Sequence, residues 1–95
     1  MKRIASLIAL IALFLLPAAQ AQPTQEELEA ARVTLDGRCA LGESRACVLL
    51  GRMYRTGTGV EADLARAHEL FNLSCASDPS LCGDLGALYL SGDGV

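Results

Sequence analysis

Lysine is missing from this sequence after position 2, and histidine occurs once, at His68. Beyond residue 21 the balance is six arginines against eleven carboxylates, a net charge of −5. An acidic chain with six arginines and no lysine is a poor candidate for nucleic acid or anionic membrane surfaces, which need clustered basic groups to displace counterions. Without lysine there is no S-x-x-K or K-T-G, and G-x-S-x-G is absent too, so the usual activated-serine arrangements are missing. C-x-x-C-H, the haem attachment motif, does not occur. Nor does any window sustain an alternation of period two, so strands are not expected. No cofactor is expected.

What is present begins with a targeting pattern. "MKR" is a positive start, "IASLIALIALFLL" an apolar core, and "PAAQA" supplies small residues before the polar "QPTQEE". Ala19 and Ala21 bracket Gln20 in the A-x-A arrangement of a signal-peptidase site. The apolar run from Ile4 to Leu16 is shorter than the ~20 residues that span hydrocarbon. We therefore expect a signal peptide over 1–21, cleavage between Ala21 and Gln22, and export to a bacterial periplasm or beyond. The residue directly after the cut is Gln22, not a cysteine that could carry a lipid, so no membrane association is expected afterwards.

Four cysteines lie in the remaining 74 residues, and a chain that small seldom holds together on its core alone. An even count in a short exported chain reads as a disulfide framework. Cys39 and Cys47 have seven residues between them, Cys75 and Cys82 six, and each pair flanks a polar connector, "ALGESRA" or "ASDPSL". Zinc ligands prefer two to four intervening residues. The spacing selects Cys39 with Cys47 and Cys75 with Cys82, each closing the turn between two helices. Joining Cys39 to Cys75 would bridge neighbouring repeats, whose helices pack ~8–10 Å apart, too far for disulfide Cα atoms.

Four helices are expected. Leu28, Ala31 and Leu35 mark one face of a first helix over 24–39, with Pro23 ahead of it and a T-x-x-E capping box at Thr24 and Glu27. A second runs from Ser44 to Thr56, with Cys47, Leu50 and Tyr54 on one face and Gly57 ending it. Asp63 caps a third, which carries Leu64, Ala67 and Phe71. Asp78 and Pro79 start a fourth, as cap and first-turn proline.

These helices repeat. Cys47, Leu50, Gly51, Tyr54, Gly57, Gly59 and Val60 recur 35 residues later as Cys82, Leu85, Gly86, Tyr89, Gly92, Gly94 and Val95. Leu28, Ala31, Leu35 and Cys39 recur in kind as Leu64, Ala67, Phe71 and Cys75. Such a period with two helices per unit predicts an all-α, αα-hairpin solenoid. The domain spans 22–95, with a leading helix, a repeat over 44–78 and an incomplete one over 79–95. Gly51 and Gly86 allow a neighbouring helix to approach closely. Tyr54 and Tyr89 plug the space between layers with hydroxyls at the edge, the G-x-G pairs reverse the chain with positive φ, and Val60 anchors the loop.

The stretch "ACVLLGRMYRTGTGVEADLARAHELFNLSC" resembles a Sel1-like repeat, a relative of the tetratricopeptide repeat, through Leu50, Gly51, Tyr54, Gly57, Gly59, Val60, Asp63, Ala67 and Phe71. The resemblance covers about 25–95, and the cysteines are similar to those of the family's exported branch, in which a disulfide closes each hairpin. It implies a scaffold that binds a protein or peptide on its concave face. Some cysteine-rich members bind or hydrolyse β-lactams, which makes a β-lactam-binding or weakly hydrolytic protein the alternative. The residues argue against catalysis: Ser44, Ser74, Ser77, Ser80 and Ser91 fall mostly at connectors and helix ends, and His68 has Asn72 at i+4 and no evident acid partner.

Arg45, Arg52 and Arg55 fall near one side of the second helix, a stripe suited to a carboxylate ligand such as a peptide C-terminus. The second repeat has Ser80, Ala87 and Leu90 at the matching positions, so the stripe does not continue. The fourth helix has no hairpin partner after Val95, which leaves Leu88 and Leu90 near an edge to be covered by further repeats or by another chain.

Overall fold

The computed structural model describes residues 22–93. The signal segment, its cleavage position at Ala21, and Gly94 and Val95 of the repeated phrase lie outside them. Four helices follow one another: α1 (Gln25–Ala40), α2 (Ser44–Thr56), α3 (Leu64–Ser77) and α4 (Gly83–Ser91), with a 3-10 turn over Pro79–Leu81 before the last. No strand occurs among the described residues. None of these helices is long and apolar enough to cross a membrane.

Local chemistry sets the starts of α1 and α3 and the end of α2. The Thr24 hydroxyl accepts from the Glu27 N–H at 3.1 Å and donates to the Glu27 carboxylate at the same distance. The cap and its third residue thus pair through the side chains, where a capping box would send Glu27 back to the backbone. α2 ends at Gly57, whose φ of 72° is the left-handed conformation glycine tolerates, and the Gly57 N–H reaches the Met53 carbonyl at 2.8 Å. Gly59 also has positive φ, and the Asp63 N–H returns to the Tyr54 carbonyl at 2.8 Å, folding the loop onto the end of α2. The Asp63 carboxylate then caps α3 by accepting from the Arg66 N–H at 3.0 Å.

The fourth start departs from expectation. Asp78 and Pro79 do not open an α-helix; they open the 3-10 turn, and α4 begins at Gly83. The Asp78 carboxylate accepts from both the Ser80 N–H (3.0 Å) and the Ser80 hydroxyl (2.7 Å), which tightens the chain over two residues instead of three. The Leu81 N–H then bonds the Asp78 carbonyl at 2.9 Å, an i+3 pattern.

Two small clusters make the core. Cys47, Leu50 and Leu70 form one, with Leu35, Cys39 and Tyr54 against it, so it joins α1, α2 and α3. Ala67, Phe71 and Leu88 form the other, with Tyr54 and Leu85 against it, joining α2, α3 and α4. Leu88 is 0 % exposed, not at an open edge, because Phe71 and Ala67 cover it; Leu90, 92 % exposed, is the leucine at the edge. Tyr54 is the plug between layers that the repeat predicts. Tyr89 is not: it is 60 % exposed. α1 buries no residue completely; Leu28 and Leu35 are half-buried and Ala31 is exposed, since only one side of the helix is packed.

Gly51 has its expected reason. A Cβ built on it would sit 2.5 Å from the Phe71 ring, closer than carbon atoms approach, so α3 packs directly on the α2 backbone there.

Candidate functional site

The four cysteines form two disulfides, Cys39–Cys47 and Cys75–Cys82, with Cα separations of 4.7 and 4.5 Å. No described cysteine is free. Each bond clamps a helix–helix turn, the position that the spacing selects. Two such bonds mark an oxidising compartment.

The arginine stripe is not a free cationic surface. Arg52 and Asp84 form a two-point pair across α2 and α4, Nε to Oδ1 at 3.0 Å and Nη2 to Oδ2 at 2.8 Å. That hydrogen bonding holds the guanidinium pKa above its usual value. Arg55 lies 3.8 Å from the Asp93 carboxylate. Arg45 is exposed, and its field helps to lower the pKa of Asp78, behind the larger effect of the hydrogen bonds from Ser80. Two of the three arginines, Arg52 and Arg55, thus have acidic partners on α4 and just beyond its end, and Arg45 has none within ion-pair distance among the described residues. The acids that engage them were legible only with the stacking geometry. Asp84 sits three residues before the repeat-equivalent of Arg52, within the first turn of α4, and Asp93 three after that of Arg55, just past the Gly92 cap.

Open surface lies instead along α3. A groove of about 440 Å³ is lined by Arg66, Glu69, Asn72, Leu73 and Ala76, which recur at helical spacing on one side of the helix. A second groove of about 390 Å³ shares Leu73 and Ala76 and continues past the first disulfide to Gly42, Ser44 and Ser77. Arg66 donates to the Glu69 carboxylate at 2.9 Å, and this bond raises the pKa of its guanidinium. Leu73 stands between the grooves, 57 % exposed. Ser44 and Ser77 bridge the floor of the second groove at 2.6 Å. The surface offers an apolar knob, an amide, a small-residue shelf and a paired charge, the components that hold an extended or helical peptide by shape and hydrogen bonds. Its signal in the sequence is one exposed leucine on a helix whose other apolar positions repeat, and single exposed leucines are common.

His68 meets Tyr89 of α4. Its Nε2 lies 3.2 Å from the Tyr89 hydroxyl, and the rings meet edge to face with centroids 5.7 Å apart. The contact closes the α3–α4 seam. Among the described residues, no cluster of three His, Cys, Asp or Glu side chains is arranged to hold a metal ion.

Compared with protein-family models, with curated proteins and with solved structures, the chain gives no match.

Proposed function

We propose that this chain is an exported, disulfide-closed αα-repeat scaffold, of the Sel1-like kind, that binds a protein or peptide partner without catalysing a reaction. The observation that carries the reading is the repeated hairpin: one phrase at 35-residue spacing, each copy preceded by a disulfide-clamped turn. Stacking such hairpins builds a solenoid with long grooves, and the grooves along α3 supply the surface on which a partner is held. Export follows from the leading charged-then-apolar segment together with the two disulfides. Secreted protein beginning at Gln22 is the expected mass; a periplasmic form that retains Met1 contradicts export by cleavage.

Binding is tested by selecting displayed peptides on the immobilised oxidised protein. Enriched peptides are expected to lose affinity for Leu73→Glu and to keep it for Arg45→Ala. The reverse pattern moves the site to the arginine side, and absence of enrichment contradicts the scaffold reading. The purified oxidised protein is expected to leave nitrocefin intact. Turnover that disappears on replacement of one serine would establish a hydrolase instead.

A further inference from the structure

α1 carries two apolar faces. On one, Leu35 and Cys39 lie against the cluster of Cys47, Leu50 and Leu70, and Leu28 meets the loop at Gly59. On the opposite side of the same helix stand Ala30, Val33, Gly37 and Ala40, all exposed, and the chain runs on to Leu41 at the helix end. Val33 is 60 % exposed and Leu41 84 %, and a Cβ built on Gly37 meets nothing within 4 Å. The Thr34 hydroxyl beside them donates to the Ala30 carbonyl at 3.1 Å, and so is satisfied within the helix. Glu29, Arg32, Asp36 and Arg38 fall to the sides, which leaves this face without a charge from Ala30 to Leu41. The outer side of the end unit in a helical stack is polar when it faces water. This one is not. Further repeats after Val95 would stack on α4, at the other end of the array, and leave the outer side of α1 as it is.

We propose that this face of α1 pairs with the same face of a second copy of the chain, the two helices antiparallel across a twofold axis. Under the cleavage read at Ala21, on which this step rests, only Gln22, Pro23 and Thr24 of the chain precede α1, too few to form a covering helix. The face is complementary to itself, as a twofold interface requires. Val33 lies midway between Ala30 and Gly37, so an antiparallel copy offers each Val33 the hollow between the other's two small residues, a knob in a hole. Charge favours the same arrangement. Glu26, Glu27 and Glu29 occupy the start of α1 and Arg38 its end, so antiparallel helices set acid against base, and parallel ones like against like. Glu27 and Arg38 are eleven residues apart, about three turns, and hence share a flank, where each meets the other's counterpart in the copy. On the other flank Glu29 approaches Asp36, whose charge Arg32 balances at 3.8 Å. One helix pair is a small interface, so the dimer is a weak one. The face shares no residue with the grooves along α3, so its failure leaves the scaffold reading standing.

The test is sedimentation velocity of the oxidised protein, made to begin at Gln22, from micromolar to millimolar concentration. A monomer–dimer equilibrium is expected. Val33→Glu puts a charge on the knob and is expected to weaken association about tenfold or more, as loss of a central anchor does. Gly37→Leu fills the hollow and is expected to abolish the dimer. That substitution strengthens the helix locally, and unchanged helical circular dichroism and disulfide map establish that the variant is folded. Glu27→Arg and Arg38→Glu are each expected to associate less than the unaltered protein and to recover on mixing, because each supplies the charge the other lacks. A monomer at millimolar concentration overturns the proposal and leaves the peptide selection untouched. Association that Val33→Glu and Gly37→Leu leave intact lies elsewhere on the molecule and overturns it as well. Mixing that restores nothing overturns the antiparallel arrangement. Secreted protein that retains Met1 contradicts the cleavage alone, since the test starts from a defined Gln22.

Discussion

A hydrogen in place of a methyl group at position 51 sets how closely α2 and α3 approach. With a Cβ there, the Phe71 ring must move, and overpacking of this kind costs about 1–3 kcal/mol, outweighing the propensity gained by alanine. Gly86 has the same sequence context and open space, so alanine there acts on propensity alone and is worth up to about 1 kcal/mol. Urea unfolding should therefore show Gly51→Ala destabilised and Gly86→Ala stabilised; equal shifts would remove the close approach as the reason for Gly51. The sequence shows both glycines as a repeated pair, but only the packed ring distinguishes them. Asp78 provides a second residue-scale prediction. Hydrogen bonds from Ser80 lower its pKa below the ordinary 3.8. The ionised form is thus favoured by folding, and its contribution is whole above the ordinary carboxylate range and lost as pH falls through it. Asp78→Asn is expected to remove part of the acid limb of the stability–pH profile, measured by thermal melts between pH 2 and 6, with the slope at neutral pH unchanged.

The elements are held mainly at their turns. Each disulfide closes a loop of eight or nine residues, which the chain-entropy estimate values at about 2.5 kcal/mol. Set beside a core of two small clusters, that contribution is decisive for a chain of this size. Reduction is expected to melt the helices, followed by circular dichroism, and Cys39→Ser should act nearly as strongly as the Cys39→Ser, Cys47→Ser pair. Retained helicity after full reduction would show that the core suffices alone. The first three helices were legible because their signals are local: Thr24 and Asp63 cap, Gly57 ends, and the apolar spacing lies within one element. The start of α4 was not. Asp followed by Pro suits both an α-helical cap and a 3-10 turn, and the choice rests on the Ser80 hydroxyl, which reaches the Asp78 carboxylate. The pairing of Arg52 with Asp84 was equally hidden, since it needs the offset between stacked helices rather than any pattern along one of them.

At the scale of the whole molecule, the repeat made the all-helical architecture and the clamped turns readable, because one period governs both the apolar spacing and the cysteines. Burial at the far end was not readable in the same way. Leu88 and Leu90 are two residues apart, and only the contact with Phe71 and Ala67 separates a core residue from an exposed one. The open surface along α3 gave no motif, since a groove is a property of what the neighbours leave uncovered.

Tyr54 touches both core clusters, and so belongs to the packing of the first hairpin and of the second. In a one-dimensional stack, a shared side chain is the nearest-neighbour coupling that makes separate units unfold as one. With the tyrosine in place, a single cooperative transition is expected, with α2 and α4 amides exchanging at the same free energy. Tyr54→Ala should loosen that link, so that α4 amides exchange well before those of α2. If the two helices still exchange together in the variant, cooperativity runs through the α2–α4 ion pair instead, and the ring is only a filler.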